Sequence, residues 1–355
     1  MPTSQSACDT DPTPSRLPRR WDLAEARVSG PVAEGRDRRC WRVDSGDGPF
    51  LLAEYPRPDR RRLLFQHEVT AALDAAGLPV LAPVPARTGR TLVTAGGHGF
   101  VLYPWVSGRR RGGLELTYGQ CEALGELLGR LHAGLDACTP PVQQSMLVPT
   151  PRAADAAEAV DALLDSVPDD GTDFAALTGR RLRERRALLD EYADFRPPEL
   201  DVSTVGHLHG SFGPGCLRYG GSGNVTAVLG WDSLTTGPVA GELVRAAVAL
   251  FTFEDDRGLD LDRVQSFVRG HRAAFPLDAG QIQGAVHREW WERLCDVRPL
   301  RHRYLGDDPA GGAGGDRGSA GAAGLVAWWS ANLDRTLEVF PAPYAAPAED
   351  SPAYG

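Results

Sequence analysis

Lysine is absent from this sequence, and all 38 basic residues are arginines. A mechanism that needs a lysine ammonium group beside a phosphate is therefore excluded. The accompanying richness in Ala, Gly, Pro and Arg is typical of a GC-rich genome and needs no functional explanation. Arginines cluster in RPDRRR and SGRRRGG. We interpret both clusters as solvated surface, with a pocket for an acidic or phosphorylated ligand as the alternative.

Long apolar runs are also missing, since no segment approaches the roughly 20 apolar residues of a membrane-spanning helix. The six cysteines lie far apart, without a CxxC pair or metal-like spacing to histidine. We therefore expect reduced, mostly buried thiols and a cytoplasmic protein without a membrane partner. The net charge of −9 excludes a large nucleic-acid footprint. Residues 1–20 contain no apolar signal-peptide region, and their polar composition predicts a disordered leader.

The 355 residues are enough for two lobes, and the hydrophobic pattern predicts an α+β organisation. Residues 21–105 combine strand patterns, such as CWRVD and FLLAEY, with one helical pattern, which predicts a small antiparallel sheet and a packed helix. Residues 106–345 are mainly amphipathic helical patterns, interrupted at 207–233 by two short strands, CLRY and VTAVLGW. The Gly-rich stretch 306–324 predicts a mobile loop, and residues 346–355 form a C-terminal tail.

The interrupting region contains the segments HGSFGPGCLRY, GGSGNVT and AVLGWDS. This series resembles the catalytic segment of the aminoglycoside phosphotransferase and choline-kinase family, which reads roughly HGDLHPGNVLV, a short turn, and VIDWE. The family's motif aligns with this sequence without a gap, and five of its residues are matched by His209, Gly210, Pro214, Gly215 and Trp231. The resemblance runs in order from residue 21 to 340. It implies a bilobal kinase-like fold with a small sheet-and-helix N-lobe and a large, mainly helical C-lobe.

The substitutions fall at the positions that carry the family's chemistry. Phosphoryl transfer needs a carboxylate to accept the proton of the substrate hydroxyl, and Ser211 stands at that place. The family's two magnesium ligands, an asparagine and an aspartate, correspond to Cys216 and Gly230. A neutral thiol is a poor magnesium ligand, and glycine offers only its backbone. Asp232 is the carboxylate that remains near the site, and a register shift of one residue would make it a metal ligand.

The N-lobe carries a further departure from the family. The nucleotide-binding Lys or Arg corresponds to Ala53, with Glu54 beside it, and the acidic helix partner of that cation survives as Glu68. A positive phosphate clamp is therefore replaced by a methyl group next to a negative charge. The resemblance assigns five positions to the nucleotide cleft, the last two of them in the hinge between the lobes: Gly35, Ala53, Glu68, Tyr103 and Trp105.

The late tryptophans, in REWWERL and VAWWSANL, are interpreted as interhelical packing. The alternative follows from the resemblance, because the helices after the catalytic segment border the acceptor site in this family. On that alternative an acceptor groove is lined by Glu289, Trp290, Trp291 and Glu292. Such a groove would suit an aromatic or cationic molecule or a peptide.

Loss of the base, both metal ligands and the phosphate cation predicts a pseudokinase that binds a small molecule or a peptide without catalysis. Natural-product tailoring beside a biosynthetic partner protein is the family-level analogy. We assign no catalytic residue and expect no cofactor. One alternative is a weak ATP- and magnesium-dependent phosphotransferase that uses Asp232 and backbone oxygens. The other is different chemistry at His209, Ser211 or Cys216, although we expect His209 to brace its loop and Cys216 to be a small buried residue.

Overall fold

The computed structural model describes residues 14–23, 25–32, 38–167, 172–254, 258–298 and 324–342. Packing divides the chain into two compact units. The first unit comprises Met1–Arg110 and Cys216–Leu234, and the second comprises Arg111–Gly215 and Thr235–Gly355. The predicted tail lies outside the described residues, as does the predicted mobile loop apart from Gly324.

The described elements are numbered in chain order. The strands are β1 (Arg27–Ser29), β2 (Cys40–Ser45), β3 (Gly48–Tyr55), β4 (Val93–Ala95), β5 (His98–Pro104), β6 (Met146–Leu147), β7 (Leu200–Asp201), β8 (Val205–Leu208), β9 (Leu217–Tyr219), β10 (Val225–Val228) and β11 (Thr235–Pro238). The α-helices are α1 (Arg60–Ala75), α2 (Tyr118–Cys138), α3 (Ala153–Ser166), α4 (Asp173–Glu191), α5 (Val239–Phe251), α6 (Leu261–Ala274), α7 (Ala279–Cys295), α8 (324–331) and α9 (Leu333–Val339). None of the described helices is long and apolar enough to cross a membrane.

The first unit is built on a five-stranded antiparallel sheet with strand order β1-β2-β3-β5-β4. Side chains alternate between its two faces. Leu52 and Phe100 enter an apolar core on one face, whereas Val101 belongs to a cluster with α1 on the other, which we call the α1 face. Helix α1 begins where the Asp59 side chain accepts the Arg62 N–H at 3.1 Å. The predicted α+β fold with a small antiparallel sheet and helix is confirmed.

The predicted disordered leader is corrected in its last part. Residues Pro14–Trp21 form a 3₁₀ helix, and the Leu17 and Trp21 side chains join the apolar core on the face opposite α1. Trp21 Nε1 also donates to the Val84 carbonyl at 2.9 Å. The generally polar composition of this segment concealed these two large apolar side chains, which anchor the short helix to the sheet.

The hairpin of β9 and β10 belongs to the first unit. It is joined to that unit by β-bridges between Val80 and Val228 and between Arg109 and Tyr219. This division differs from the predicted one, which ended the N-lobe at residue 105 and assigned the hairpin to the helical lobe. The two divisions differ because the hairpin is joined to the first unit by β-bridges between residues far apart in the sequence. A local sequence pattern does not reveal such bridges.

The second unit depends on a close crossing of α2 and α6. A Cβ atom added at Gly125 would lie 1.8 Å from the Phe267 carbonyl oxygen, and one added at Gly270 would lie 1.9 Å from the Glu122 carbonyl oxygen. No side chain fits at such distances, so these glycines set the separation of the two helices. Helix α5 is buried along most of its length and packs against α6, α7 and β8.

We predict that Gly125→Ala lowers the free energy of unfolding by at least about 3 kcal/mol, because the new methyl group meets backbone atoms of α6 and not a movable side chain. The matched control is Gly284→Ala in α7, where a Cβ meets no atom within 4 Å. This control should stabilise the protein by about 0.5–1 kcal/mol. Urea denaturation measures both values, and equal stability of the two variants would contradict the close crossing.

Candidate functional site

Ala53 lies on the α1 face of the sheet, at the place where the family carries its nucleotide-binding cation. Its methyl group is fully buried between β2 and β5. Glu54 lies on the opposite face, is 1% exposed, and is bound by Arg39 at 2.7 Å and by His98. The expected negative charge beside the phosphate position is therefore absent from the α1 face, because strand alternation turns Glu54 away and Arg39 neutralises it.

Glu68 does not take its predicted place against the sheet, since it is exposed on α1. The preceding residue, His67, is 4% exposed and contacts the sheet, with Nε2 3.5 Å from the Tyr103 hydroxyl. Its Nδ1 lies 2.7 Å from Thr91 Oγ1. Burial lowers the pKa of His67 to about 4, so the ring is neutral at pH 7. The phase of the helix therefore presents a neutral imidazole to the sheet in place of a carboxylate.

Arg38 and Asp232 form an ion pair that joins the segment before β2 to the turn after β10. Arg38 Nη1 lies 2.6 Å from Asp232 Oδ1 and donates to the Tyr55 hydroxyl at 2.5 Å. The two charged side chains are 21% and 47% exposed. The main-chain oxygen of Asp232 accepts hydrogen bonds from Arg62 at 2.8 Å and from Gln66 at 3.2 Å. Asp232 is therefore held at its carboxylate and at its carbonyl.

Two tyrosines complete this polar group on the α1 face. The hydroxyls of Tyr55 and Tyr103 lie 3.4 Å apart, and the Arg38 guanidinium lies 4.9 Å from the Tyr55 ring centroid. Burial opposes the charge of Arg38, but Tyr55 and Asp232 raise its pKa above the ordinary value. Burial also raises the pKa of Tyr55, and it raises the pKa of Tyr103 to about 12. At neutral pH Arg38 is therefore charged and both phenols are neutral.

The resemblance assigns the family's magnesium ligands to Cys216 and Gly230, and these positions lie near each other because Leu229, the residue before Gly230, donates its N–H to the Cys216 carbonyl at 2.8 Å. The Cys216 side chain is 7% exposed, as expected for a small buried residue. Among the described residues, no group of three His, Cys, Asp or Glu side chains is arranged to hold a metal ion. With a thiol, a glycine and an ion-paired Asp232 as donors, these residues do not fit Mg²⁺.

In the second unit, the loop after β8 is fixed by Glu242, a buried residue of α5. Its carboxylate accepts the main-chain N–H groups of His209 at 2.9 Å and Gly210 at 2.5 Å, and it contacts His132 Nε2 at 2.9 Å. His132 Nδ1 in turn lies 2.9 Å from His271 Nε2. Burial opposes the charge of Glu242, yet its contacts with His132 and the loop amides lower its pKa below the ordinary value.

His209 braces this loop, as predicted. The side chain is fully buried, and its Nδ1 accepts the main-chain N–H of Ser211 at 3.3 Å. Ser211 itself is exposed. Because the Nδ1 lone pair is directed at the backbone, this nitrogen is not placed to take a proton from the Ser211 hydroxyl. The contact of this nitrogen therefore supports the shape of the loop.

A family model described as "Phosphotransferase enzyme family" matches residues 30–277 of this sequence. The chain belongs to this family. The match covers the sheet, the hairpin and the braced loop, and it confirms the resemblance inferred from the motif frame. A sequence search of curated proteins finds no match.

Several solved structures share the fold of this family member. Spectinomycin phosphotransferase APH(9)-Ia, in complex with ADP and spectinomycin, has a TM-score of 0.58 at 13% identity, over 87% of this chain and 93% of that one. A microcompartment-associated aminopropanol kinase has a TM-score of 0.57 at 17% identity, over 92% and 98%. An aminoglycoside phosphotransferase from Alicyclobacillus acidocaldarius has a TM-score of 0.57 at 14% identity, over 94% and 98%. At these identities the likeness shows the fold alone.

The tryptophans of α7 do not form the alternative acceptor groove. Trp290 and Trp291 are fully buried, and their indole N–H groups donate to neighbouring oxygens at 3.0 and 2.9 Å. Glu289 is 7% exposed and is bound by Arg293 at 2.7 Å. Glu292 is half-buried, and burial raises its pKa. Helix α7 packs against α4, α5 and α9, so both tryptophans are interhelical packing residues.

Of the residues that surround Asp232 on the α1 face, sequence reasoning named Tyr103 as a cleft position but missed Arg38 and Tyr55. Tyr55 had a usable signal, because strand alternation places it on the same face as Ala53, two residues earlier. Arg38 had none, since it precedes β2 in a segment without a periodic pattern. Of the remaining predicted cleft positions, Trp105 lines a small cleft in the first unit, and Gly35 lies outside the described residues.

We predict that Glu242→Gln lowers the free energy of unfolding by about 2–4 kcal/mol at pH 7, because an amide cannot accept all three hydrogen bonds and the amide N–H₂ opposes a backbone donor. The pKa of Glu242 is lowered in the folded state. Its contribution is therefore present above the unfolded pKa of about 4.3 and is lost as pH falls through the folded pKa.

Denaturation curves between pH 3 and pH 8 test this assignment. The difference between wild type and Glu242→Gln should be constant above about pH 6 and should shrink below about pH 4. The control is Glu158→Gln on the exposed side of α3, which should change stability by less than about 0.5 kcal/mol. A Glu242→Gln deficit that does not change with pH would contradict a role for the carboxylate charge.

Proposed function

We propose that this member of the phosphotransferase family binds a small molecule or a peptide without transferring a phosphoryl group. The observation that carries the proposal is the Arg38–Asp232 ion pair. In this part of the chain Asp232 is the carboxylate that would remain for a metal ion. It is occupied by a guanidinium at 2.6 Å and by two donors on its carbonyl.

The chemistry of the ion pair argues against a metal at Asp232. A magnesium ion would have to displace Arg38, whose pKa is raised and whose charge is compensated by that carboxylate. Displacement would leave a mostly buried cation beside two neutral phenols, which is costly in a low-dielectric site. The neighbouring ligand positions offer no help, because one is a thiol and the other a glycine.

The remaining catalytic positions support the same proposal. Ser211 is no general base at neutral pH, and the nearest imidazole nitrogen is directed at the backbone. Ala53 supplies no cation to a nucleotide phosphate. Loss of any one such group costs rates of about 10²-fold or more, so the combination is incompatible with efficient transfer.

Similarity to other proteins indicates the class of ligand. The spectinomycin phosphotransferase and the aminopropanol kinase are named for small molecules, which favours a small-molecule ligand over a macromolecule. A biosynthetic partner protein in the cytoplasm belongs to the same proposal, by analogy with natural-product tailoring. In such a pairing this chain would hold a substrate while a second protein performs the chemistry.

We predict that magnesium has no effect on the interaction of the protein with ATP or ADP, because the residues that the structure describes offer no donor set suited to Mg²⁺. Calorimetric titrations with each nucleotide, with and without magnesium, measure this directly, and an assay of ADP formation accompanies them. The control variant is Asp232→Asn, which removes the carboxylate next to the Gly230 position. Magnesium-dependent binding and turnover that disappear in Asp232→Asn would overturn the proposal in favour of a weak phosphotransferase.

We predict that Cys216→Asn combined with Gly230→Asp creates a magnesium site that the wild type lacks, since the two positions are adjacent and each would supply a hard oxygen ligand. Gly230 has a left-handed φ of +86°, in a region where Asp is tolerated better than most residues. The double variant should be about 1–2 kcal/mol less stable without magnesium and should regain stability as the ion is added.

The matched control for this gain is Gly230→Ala with Cys216→Ser, which places a side chain at the same left-handed position without a carboxylate. Thermal unfolding with increasing magnesium distinguishes the variants. A magnesium-dependent increase in the melting temperature of the wild type, equal to that of the double variant, would show that a metal site already exists and would contradict the proposal.

A further inference from the structure

Four exposed arginines lie at the start of α1, within the RPDRRR stretch of the sequence, and we call them the α1 arginine cluster: Arg57, Arg60, Arg61 and Arg62. Their side chains contact only neutral oxygens in the described part of the chain. Arg60 Nη1 donates to Thr94 Oγ1 at 3.2 Å, and Arg62 Nη2 donates to the Asp232 carbonyl at 2.8 Å. The Arg57 and Arg61 guanidiniums make no hydrogen bond or ion pair with any described residue. All five N–H donors of each are therefore available to a ligand.

The carboxylate nearest in the sequence does not neutralise this cluster. Asp59 accepts the main-chain N–H of Arg62 at 3.1 Å, which caps the helix, and it forms no ion pair with a guanidinium. The arginines near β2 are different, because Arg39 is paired with Glu54 and Arg42 with Asp44. Uncompensated positive charge in the first unit is thus concentrated where α1 begins.

The position of the cluster conflicts with the electrostatics of the helix. Arg60, Arg61 and Arg62 form the first turn of α1, which contains no acidic residue. The N-terminus of a helix carries partial positive charge, so cations in the first turn are unfavourable there. Of the helices that the structure describes, α1 alone begins with three arginines. A bound anion would relieve this repulsion, and local conflicts of this kind are expected at functional sites.

The backbone that carries the cluster is held against the sheet. A Cβ atom added at Gly99 of β5 would lie 3.0 Å from Pro58 Cγ, so the segment before α1 packs closely on that strand. The proline rings also fix φ at Pro56 and Pro58. A ligand would therefore order few additional backbone torsions on binding, which limits its entropic cost.

The distribution of charge favours a short anionic ligand over a long one. The first unit contains 17 arginines and 13 Asp and Glu residues, a net charge of +4, whereas the second contains 21 and 34, a net charge of −13. A long polyanion such as a nucleic acid would be opposed by the net charge of −9 on the whole chain. A short acidic segment needs only the cluster, because charges beyond about 8 Å are largely screened at physiological salt.

We propose that the α1 arginine cluster is a docking surface for a short acidic segment of a partner protein. Its Asp and Glu carboxylates bind the guanidiniums of Arg57 and Arg61, whose planar fork of donors matches a carboxylate. Arg60 and Arg62 contribute positive charge beside them. This inference goes beyond the proposed function, since it holds whether or not the protein transfers a phosphoryl group.

The first experiment uses three fluorescent probes on the full-length wild-type protein, with binding measured by anisotropy. The probes are hexaglutamate, the uncharged hexaglutamine and the oligonucleotide hexathymidylate. We expect hexaglutamate to bind, with affinity that falls about ten-fold or more as NaCl is raised from about 20 to about 200 mM. Absence of hexaglutamate binding at low salt, or equal binding of hexaglutamine, would overturn the inference. Tighter binding of hexathymidylate would replace the acidic segment by a nucleic acid and overturn it as well.

The second experiment distinguishes the cluster from the general charge of the protein. Arg57→Ala with Arg61→Ala should weaken hexaglutamate binding about five-fold or more. The matched control is Arg180→Ala with Arg183→Ala on α4, which removes the same charge from two other exposed arginines and should change the affinity less than about two-fold. An equal loss in both double variants would show that binding has no preferred surface and would contradict the proposal.

The third experiment separates binding from a structural role by means of Arg61→Glu. The substitution breaks no contact with a described residue and places a carboxylate in the first turn of α1. We therefore expect the melting temperature to rise by about 1–2 °C, while hexaglutamate binding falls more than in the double alanine variant. A lower melting temperature would show that Arg61 stabilises the free protein, and this result would overturn the argument from helix electrostatics.

Discussion

The ion pair between Arg38 and Asp232 is the interaction on which the polar site of the first unit depends. It ties a carboxylate of the turn after β10 to the segment before β2. A guanidinium is held by hydrogen bonds of fixed direction, whereas magnesium is held by oxygen ligands that exchange with water. The contacts around Asp232 therefore hold the turn after β10 in place within the unit. Arg62 and Gln66 of α1 bind the same turn.

In the second unit, Glu242 has a comparable structural role, because its buried carboxylate fixes a loop through hydrogen bonds. The carboxylate holds two amides of the loop and one imidazole in a fully buried position. Removing such a group would leave several buried donors without acceptors. The neighbouring Ser211 is exposed and makes no comparable contribution to packing. In this loop the buried, hydrogen-bonded groups fix the backbone, whereas the exposed Ser211 side chain does not.

The fold and the substituted positions could be predicted from the sequence, because both depend on the order and spacing of motifs along the chain. The frame of His209, Gly210 and Trp231 identifies Ser211 and Gly230 directly, without coordinates. The partners of these positions depend on contacts between distant segments. Arg38 reaches Asp232 across 194 residues, and no periodicity records such a pairing. The surroundings of helical residues were also hard to predict. A pair of apolar residues such as Trp290 and Trp291 gives the same sequence pattern whether it is buried between helices or lines a groove.

Charge compensation is a further feature of the sheet in the first unit. Three arginines near β2 each have a carboxylate partner, in the pairs Arg38–Asp232, Arg39–Glu54 and Arg42–Asp44. A nucleotide triphosphate with its several negative charges would need cations that these carboxylates already hold, and the chain has no lysine to replace them. Because each of these arginines is already paired with a carboxylate, the electrostatics near β2 do not favour a polyphosphate.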